Sequence, residues 1–172
     1  MKGFIHIYTG DGKGKTTAAV GLAIRALGAG LEVMVAQLFK SETSEKAVLE
    51  KLGVKYLQYS SKHPLFKKYS SEEMASEQKK CEAFVKHAFE LAASESYDLL
   101  IIDELGPALS AGVLTKGFVK ELVIGKPEKL ELVLTGRGFP HEILMLADYA
   151  NDIKSIAHPY NKGINARKGI EY

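Results

Sequence analysis

Apolar and polar residues follow two different patterns along the chain, and these patterns predict strands that alternate with helices. Near-continuous apolar runs, such as 32–39 and 99–102, are typical of strands covered on both faces of a sheet. Apolar residues spaced by three or four positions, as in 16–29, predict amphipathic helices. The predicted strands are 4–8, 32–39, 54–59, 97–104 and 130–134, and the predicted helices are 16–29, 44–52, 70–94, 105–111, 116–124 and 141–147.

Local signals support two of the helix starts and the overall architecture. Ser70 and Glu73 have the spacing of a capping box, and Ser44 can cap the short helix that follows it. Residues 60–69 show no period and predict a loop, whereas 150–157 have a mixed pattern. Strands that alternate with helices favour a single α/β domain, with a mostly parallel sheet flanked by helices on both faces.

The composition excludes several classes of protein. With 46% hydrophobic and 26% charged residues among 172, the chain is expected to form one globular domain. No apolar run approaches the roughly 20 residues of a membrane span, and a first strand this early leaves no room for a leader peptide. A net charge of +2 does not favour a nucleic-acid surface. The single cysteine, Cys81, is expected to be a buried thiol in a protein of the reducing cytoplasm.

A glycine-rich segment between the first strand and the first helix predicts a phosphate loop. Its sequence is Thr-Gly-Asp-Gly-Lys-Gly-Lys-Thr-Thr, and its glycines let several backbone N–H groups converge at a helix N-terminus. Lys15 adds a cation, and the hydroxyl of Thr16 can ligate magnesium. The alternative is a glycine-rich turn that binds nothing. The residues assigned to nucleotide binding here are Thr9, Gly10, Asp11, Gly12, Lys13, Gly14, Lys15, Thr16 and Thr17.

Three further strand ends carry candidate chemistry. Four aliphatic residues lead into Asp103 and Glu104, and acids at such a position hold magnesium in phosphate-loop enzymes together with a hydroxyl like that of Thr16. Arg137 lies between two glycines after another strand, where it can clamp phosphate oxygens. The alternatives are acids at an exposed strand end and an arginine that faces water. Gln37 is a polar group at the exit of a buried strand, on the edge where α/β sheets bind ligands.

Taken together, these residues resemble the phosphate-loop ATP:corrinoid adenosyltransferases. The loop has threonine where the usual signature has glycine, and this family shares that feature. The matching residues run in family order along nearly the whole chain, as segments 8–19, 103–105, 108–109, 135–138, 146–148, 158–160, 163–164 and 168–170 with Gly21, Arg25, Gly28, Gln37, Lys40 and Asp98.

The resemblance implies a P-loop NTPase fold of the RecA-like type and an enzyme that transfers the 5′-deoxyadenosyl group of ATP to cobalt(I) of a corrinoid. The whole triphosphate leaves, so Lys15, Arg137 and a magnesium ion on Thr16 with Glu104 or Asp103 are expected to take its charge. The nucleotide is expected to lie reversed relative to other phosphate-loop proteins. The family also implies a homodimer and a flavoprotein reductant. It makes the otherwise solvent-facing Arg25 a nucleoside contact and Asp11 a candidate ribose contact.

One stretch departs from the family pattern. Relatives often carry a tryptophan-containing segment after the third strand that shields the lower face of the corrin, and this chain has no tryptophan. The candidates for that role here are Tyr59, His63, Phe66 and Tyr69. Two alternatives therefore stay open from the sequence: a phosphate-loop kinase or ATPase, and a divergent paralogue that binds nucleotide or corrinoid without turnover.

Overall fold

The computed structural model describes residues 2–40, 43–64 and 69–171. Its strands are β1 (Ile5–Thr9), β2 (Val33–Leu38), β3 (Lys55–Tyr59), β4 (Leu99–Asp103), β5 (Glu131–Thr135) and β6 (Tyr149–Asp152). Its helices are α1 (Lys15–Gly28), α2 (Lys46–Lys51), α3 (Ser71–Ser94), α4 (Leu105–Ser110), α5 (Lys116–Ile124) and α6 (His141–Leu144). Every strand and helix predicted from the apolar pattern is present, with differences at the ends.

The strands form one parallel sheet in the order β3-β2-β4-β5-β1-β6. The predicted α/β architecture is confirmed. One strand, β5, lies between β1, which precedes the phosphate loop, and β4, which ends in Asp103. Registers align the functional strand ends, because Gln37 pairs with Asp103 across β2 and β4, and Tyr8 pairs with Thr135 across β1 and β5. All these ends therefore meet at the carboxyl edge of the sheet.

Each face of the sheet has its own hydrophobic core. Ala19, Ala23 and Leu49 of α1 and α2 pack with Val35 and Ile101 on one face. Residues of α3, α4, α5 and α6 pack against the alternate strand positions on the other face. Each fully buried aliphatic side chain contributes roughly 1.5–3 kcal/mol, so the two cores hold the strands and the loops that follow them in a fixed arrangement.

Helix α3 is the longest described helix, and its start follows the predicted capping box. Glu73 N donates to Ser70 Oγ, and Ser70 N donates to the Glu73 carboxylate. Cys81 is fully buried, as predicted, and burial raises the pKa of its thiol to about 12. Neither α3 nor any other helix in the described part of the chain has the length and apolarity for a membrane crossing.

One local prediction was wrong, and one strand was not predicted. Helix α2 has Glu45 rather than Ser44 as its N-cap residue. The mixed pattern of 150–157 did not indicate a strand, yet β6 pairs in parallel with β1. All four residues of β6 are exposed, so no apolar alternation marked it in the sequence. This edge strand leads directly to the segment that packs against the phosphate loop.

Candidate functional site

The phosphate loop is shaped by the chain that follows β6. Gly12 N donates to the carbonyl oxygen of Ile153 at 2.6 Å, and Ile153 N donates to the carbonyl oxygen of Thr9 at 2.9 Å. A Cβ atom on Gly10 would lie 2.5 Å from the Ile153 oxygen, and one on Gly12 would lie 2.7 Å from it. These two glycines are therefore required by the close approach of another backbone.

Lys15 lies inside the curl of this loop, at the first residue of α1. Its Nζ donates to the carbonyl oxygens of Gly10 and Gly12, each at 2.7 Å. Burial lowers the pKa of Lys15, and the nearby charge of Arg137 lowers it further. Gly14, the N-cap residue, has φ of 122° and supplies no side-chain cap. The helix N-terminus and one ammonium group thus face the same point, which is how proteins bind phosphate.

Asp103 lies at the centre of a polar cluster under the loop and is only 1% exposed. Burial alone would raise its pKa, but the Lys40 ammonium and hydrogen bonds lower the pKa of this carboxyl below its usual range. The carboxylate is therefore ionised and fully partnered. Its donors are Thr16 Oγ1 at 2.8 Å, Thr135 Oγ1 at 2.6 Å, Gln37 Nε2 at 3.1 Å and Lys40 Nζ at 2.9 Å.

Lys40 is a site residue that the sequence analysis did not assign. Its Nζ lies 2.9 Å from Asp103 Oδ2, 3.3 Å from Glu104 Oε1 and 3.3 Å from Thr16 Oγ1. Burial opposes its charge, yet the two carboxylates raise the pKa of Lys40. The signal in the sequence was its place just past the buried strand β2, at the same edge as the acids. Phe39, with φ of 58°, turns the chain there.

Glu104 occupies an unusual backbone conformation directly after β4. Its φ of 63° and ψ of 31° lie in the left-handed region, which costs a non-glycine residue of the order of 1 kcal/mol. Its N–H donates to Thr135 Oγ1, and its carboxylate contacts Lys40 and lies 3.9 Å from His63 Nε2. Such strain is characteristic of functional sites, and here it turns the carboxylate towards the polar cluster.

The oxygen atoms around the Lys40 ammonium fit a magnesium ion. The hydroxyl of Thr16 and the carboxylates of Asp103 and Glu104 surround one cation, and oxygen donors are what magnesium prefers. Gln37 Oε1 is buried nearby and has no hydrogen-bond partner among the residues that the structure describes. Among the described residues no three His, Cys, Asp or Glu side chains form a metal cluster. A magnesium ion here would therefore take further ligands from phosphate and water.

Arg137 lies beside the phosphate loop rather than facing away from it. Its Nη2 donates to the carbonyl oxygen of Asp11 at 3.2 Å. The turn that carries it is fixed, because a Cβ atom on Gly136 would lie 2.6 Å from the backbone nitrogen of Gly106 in α4. Of the two alternatives left by the sequence, the geometry favours the guanidinium that reaches phosphate oxygens.

Two predicted nucleotide contacts lie away from the loop surface. Arg25 is an exposed residue in the second half of α1, roughly 15 Å along the helix axis from Lys15. Gln37 is 1% exposed and contacts Asp103. Gln37 is thus placed to orient the carboxylate, and the structure does not bring Arg25 to the phosphate loop.

The predicted corrinoid residues divide into two groups. Tyr59 points inward, because its hydroxyl donates to the buried Glu77 at 3.0 Å and its ring packs against Phe39. Tyr69 packs against the same core. His63 instead stands edge-on to Phe39 and reaches Glu104, so it faces the polar cluster. Phe66 lies outside the described residues.

Two cavities flank the phosphate loop. The tail cavity, of about 600 Å³, lies between the loop and the C-terminal segment 155–171, and Asp11 and Arg137 form its border with the loop. The helix groove, of about 490 Å³, lies between α1, α2 and the C-terminal residues 169–171, and it begins at Thr16 and Thr17. A triphosphate on the loop thus has open space at both ends.

Comparisons with known proteins point to one enzyme family. The model of the family described as ATP:corrinoid adenosyltransferase BtuR/CobO/CobP matches residues 1–172. The corrinoid adenosyltransferase of Escherichia coli (strain K12) is 32% identical over 99% of this chain and 86% of its own length. Corrinoid adenosyltransferase CobA of Salmonella typhimurium is 31% identical with the same coverage.

A solved structure supports the fold. The flagellar accessory protein FlaH from Methanocaldococcus jannaschii is similar with a TM-score of 0.50 and 16% identity. The match covers 84% of this chain and 66% of that one, so this chain spans just under two thirds of its length. At this identity the likeness concerns the arrangement of strands and helices alone.

Proposed function

Since the chain belongs to the ATP:corrinoid adenosyltransferase family BtuR/CobO/CobP, we propose that the polar cluster and phosphate loop at its sheet edge are the adenosyl-transfer site. The enzyme transfers the 5′-deoxyadenosyl group of ATP to the cobalt(I) of a corrinoid and releases triphosphate, in adenosylcobalamin synthesis or salvage. The observation that carries the site assignment is that Lys15 and Arg137 both donate to backbone carbonyls of the phosphate loop, while Thr16, at the start of α1, donates to Asp103.

The reaction explains why the site is rich in cations and does not depend on a general base. The electron pair of cobalt(I) forms the new cobalt–carbon bond, and the pair of the C5′–O5′ bond leaves with the triphosphate. No proton must be removed from this nucleophile, so the main demand is to hold and stabilise a polyanionic leaving group. Lys15 and Arg137 are placed to do so from the loop side, and Lys40 is placed to do so from the end of β2.

The oxygen cluster is proposed to hold magnesium with the triphosphate. Thr16 and Asp103, with Glu104 beside them, would be its protein ligands, and the ion would neutralise part of the phosphate charge. Gln37 and Thr135 hold the Asp103 carboxylate from its buried side. This positions the carboxylate for a ligand that enters from the solvent side.

The region after β3 is proposed to contact the corrinoid. His63 faces the polar cluster through Glu104, whereas Tyr59 is turned into the core, where its hydroxyl donates to Glu77. Phe66 and Tyr69 stay candidates for the macrocycle contact. A flavoprotein reductant, a homodimer and a cytoplasmic location are further proposals from the family resemblance; Arg25 as a nucleoside contact is another.

The decisive experiment is product identification. The purified protein is incubated anaerobically with ATP, magnesium and chemically reduced cobalamin or cobinamide. We expect a light-sensitive adenosylated corrinoid and inorganic triphosphate in equal amounts. Formation of ADP or orthophosphate without an adenosylated product would instead support a kinase or ATPase. Tight binding of both substrates without product would support a non-catalytic paralogue.

A further inference from the structure

The Lys40 ammonium occupies the space among the oxygens that the proposed metal would use. We propose that Lys40 is an exchangeable counter-ion, which neutralises Asp103 and Glu104 before the substrates bind and moves to the triphosphate when magnesium enters. Metal and triphosphate would then bind as a pair, and magnesium alone would bind poorly. This inference rests on the proposed function, because it assumes a triphosphate on the phosphate loop and magnesium at these carboxylates.

The contacts of Lys40 Nζ are those of a cation in an oxygen-lined site. An ammonium has three donor hydrogens, and Nζ lies 2.9 Å from Asp103 Oδ2, 3.3 Å from Glu104 Oε1 and 3.3 Å from Thr16 Oγ1. These three side chains are also the proposed protein ligands of magnesium. Two cations repel each other at such short range, so the ammonium and the metal exclude one another.

The charges explain why the exchange needs a triphosphate. Two carboxylates face one ammonium, so one negative charge is left over while Lys40 is in place. Magnesium would neutralise both carboxylates but would leave the partly buried ammonium without an anion, which costs free energy. A triphosphate on the adjacent loop supplies new oxygens for Lys40 and removes that cost. By linkage, each of the two ligands then strengthens the binding of the other.

The backbone at Lys40 is fixed, while its side chain has room to move. Phe39 N donates to the carbonyl oxygen of Tyr59 at 3.0 Å, and Gln58 Nε2 donates to the carbonyl oxygen of Lys40 at 2.5 Å. Both bonds tie the end of β2 to β3. The Lys40 side chain is 29% exposed and lines the helix groove, which begins at the start of α1. The ammonium can therefore leave the carboxylates without any movement of the strand.

The other two cations of the site have different partners. Lys15 donates to two carbonyl oxygens of the phosphate loop, and Arg137 donates to a third. In these contacts the partners are neutral backbone groups, which are not proposed metal ligands. Lys15 and Arg137 can therefore bind a triphosphate whether or not a metal is present. Of the three cations, Lys40 is the one whose release depends on the metal.

The test measures manganese affinity with and without inorganic tripolyphosphate, the proposed leaving group. Manganese stands in for magnesium because its free concentration can be read by electron paramagnetic resonance. Dissociation constants are measured for manganese alone, for tripolyphosphate in EDTA and for the manganese–tripolyphosphate complex. Together they give the manganese affinity of the tripolyphosphate-bound protein. The chelation of manganese by free tripolyphosphate is the same for every variant and cancels in the comparison.

Lys40→Met should change only one of the two manganese affinities. Without tripolyphosphate the affinity should rise at least about fivefold, which is the lower end of typical coupling between sites. With tripolyphosphate bound it should change little, because the wild-type ammonium has already left the carboxylates. Lys40→Gln is a second neutral variant, whose amide can still donate to a carboxylate if methionine prevents folding. Adding Asp103→Asn to either variant should remove the gain, which locates the bound manganese.

Lys46→Met is the matched control. Lys46 Nζ donates to Gln58 Oε1 at 3.0 Å and lies 5.7 Å from the centre of the Tyr56 ring, so this cation is near Lys40 but has other described partners. Its loss should leave both manganese affinities within about twofold of the wild type, as for sites that do not share partners. A gain as large as that of Lys40→Met would indicate a general effect of charge and would overturn the inference.

The remaining outcomes separate the exchange from the proposed function. If neither Lys40 variant gains manganese affinity without tripolyphosphate, the exchange is wrong. Equal gains with and without tripolyphosphate would also reject it, since they would show a lysine that repels the metal from a fixed position. If the wild-type chain binds neither ATP nor tripolyphosphate, the proposed function fails as well. Adenosyl transfer by a wild-type chain whose Lys40 variants give equal gains would leave the function and reject only the exchange.

Discussion

Replacing Lys40 with methionine tests the polar cluster most directly. Methionine keeps much of the length and apolar stem of lysine but removes the ammonium that lies 2.9 Å from Asp103 Oδ2 and 3.3 Å from Glu104 Oε1. Breaking a buried ion pair from one side leaves a charge without its partner. The variant should therefore be less stable, and the loss should trace to the Asp103 carboxylate.

The expected size follows from what remains around Asp103. Losing one partner of a fully buried pair costs roughly 3–5 kcal/mol. Lys40 is 29% exposed, however, and Asp103 keeps hydrogen bonds from Thr16, Thr135 and Gln37. We therefore expect a loss of about 2 kcal/mol in the free energy of unfolding, which corresponds to roughly 4–8 °C in Tm for a domain of this size.

The pH dependence identifies the group responsible. The folded pKa of Asp103 lies below its unfolded value, so its stabilisation is present above about pH 4 and is lost as the pH falls through the folded pKa. In Lys40→Met that pKa should rise, because burial is no longer opposed by the ammonium. The stability gap between wild type and variant should be full at pH 7 and should shrink towards pH 3.

Urea unfolding at pH 7 and pH 3 measures this gap, with Lys86→Met as the control. Lys86 makes an exposed ion pair with Glu90, so its loss should change stability by less than about 0.5 kcal/mol. Asp103→Asn should also remove most of the cost of Lys40→Met, because a neutral amide does not need the ammonium. A gap that is absent at pH 7, or equally large at pH 3, would refute the reasoning.

Adding magnesium to the same two proteins tests the metal assignment independently. If the ion uses the oxygens that now surround the ammonium, millimolar magnesium without nucleotide should stabilise Lys40→Met more than the wild type. An equal response in both proteins would reject the metal assignment while leaving the ion pair intact.

The remaining predictions concern the loop, the corrinoid side and the core. Lys15→Ala should abolish measurable ATP binding by calorimetry, whereas Phe66→Ala should spare ATP and impair only the corrinoid step; equal losses in both would contradict this division. The thiol of Cys81 should resist a thiol reagent in the native protein and react at the rate of unfolding, because it is buried and its pKa is about 12; fast labelling without denaturant would disprove the burial. Because the folded pKa of Cys81 is raised, the stability that comes from keeping its thiol protonated should be full below about pH 8.5 and should fall as the pH rises towards 12, as urea unfolding at several pH values can show. Gly12→Ala should weaken phosphate binding and lower stability, because the added Cβ would lie 2.7 Å from a carbonyl oxygen of the segment after β6. Gly21→Ala has open space in α1 and should raise the free energy of unfolding by up to about 1 kcal/mol. Similar melting temperatures for the two variants would contradict the close approach at Gly12.

The strands and helices that the sequence predicted are those whose stability comes from burial on a regular period. Strands β2 and β4 are buried at every position, and helix α3 has both a regular apolar face and a capping box. Strand β6 has neither, since it pairs at an edge with its side chains exposed. Its position depends on backbone hydrogen bonds to β1, which no local pattern of side chains records.

The same distinction separates the site residues that were found from those that were missed. The phosphate loop is a short contiguous motif, so local sequence was enough to predict its glycine-rich turn, whereas the direction of Arg137 was settled only by its contact with the loop. Lys40 depends on the turn at Phe39 and on the pairing of β2 with β4, which are features of the folded chain. Tyr59 was predicted at the ligand surface, yet a partner in α3, Glu77, draws its hydroxyl inward.

The strand order arranges the proposed contacts along one line. His63 follows β3, Asp103 and Arg137 follow β4 and β5, and the tail cavity lies beyond β1 and β6. With neighbouring strands about 4.8 Å apart, β3 and β5 are separated by roughly 14 Å. On the proposed function Arg137 holds the leaving triphosphate, so a corrinoid bound at the end of β3 has to extend towards the end of β5 for its cobalt to approach ATP. His63 would then contact the rim of the macrocycle, and its loss should weaken corrinoid binding without changing the affinity for ATP.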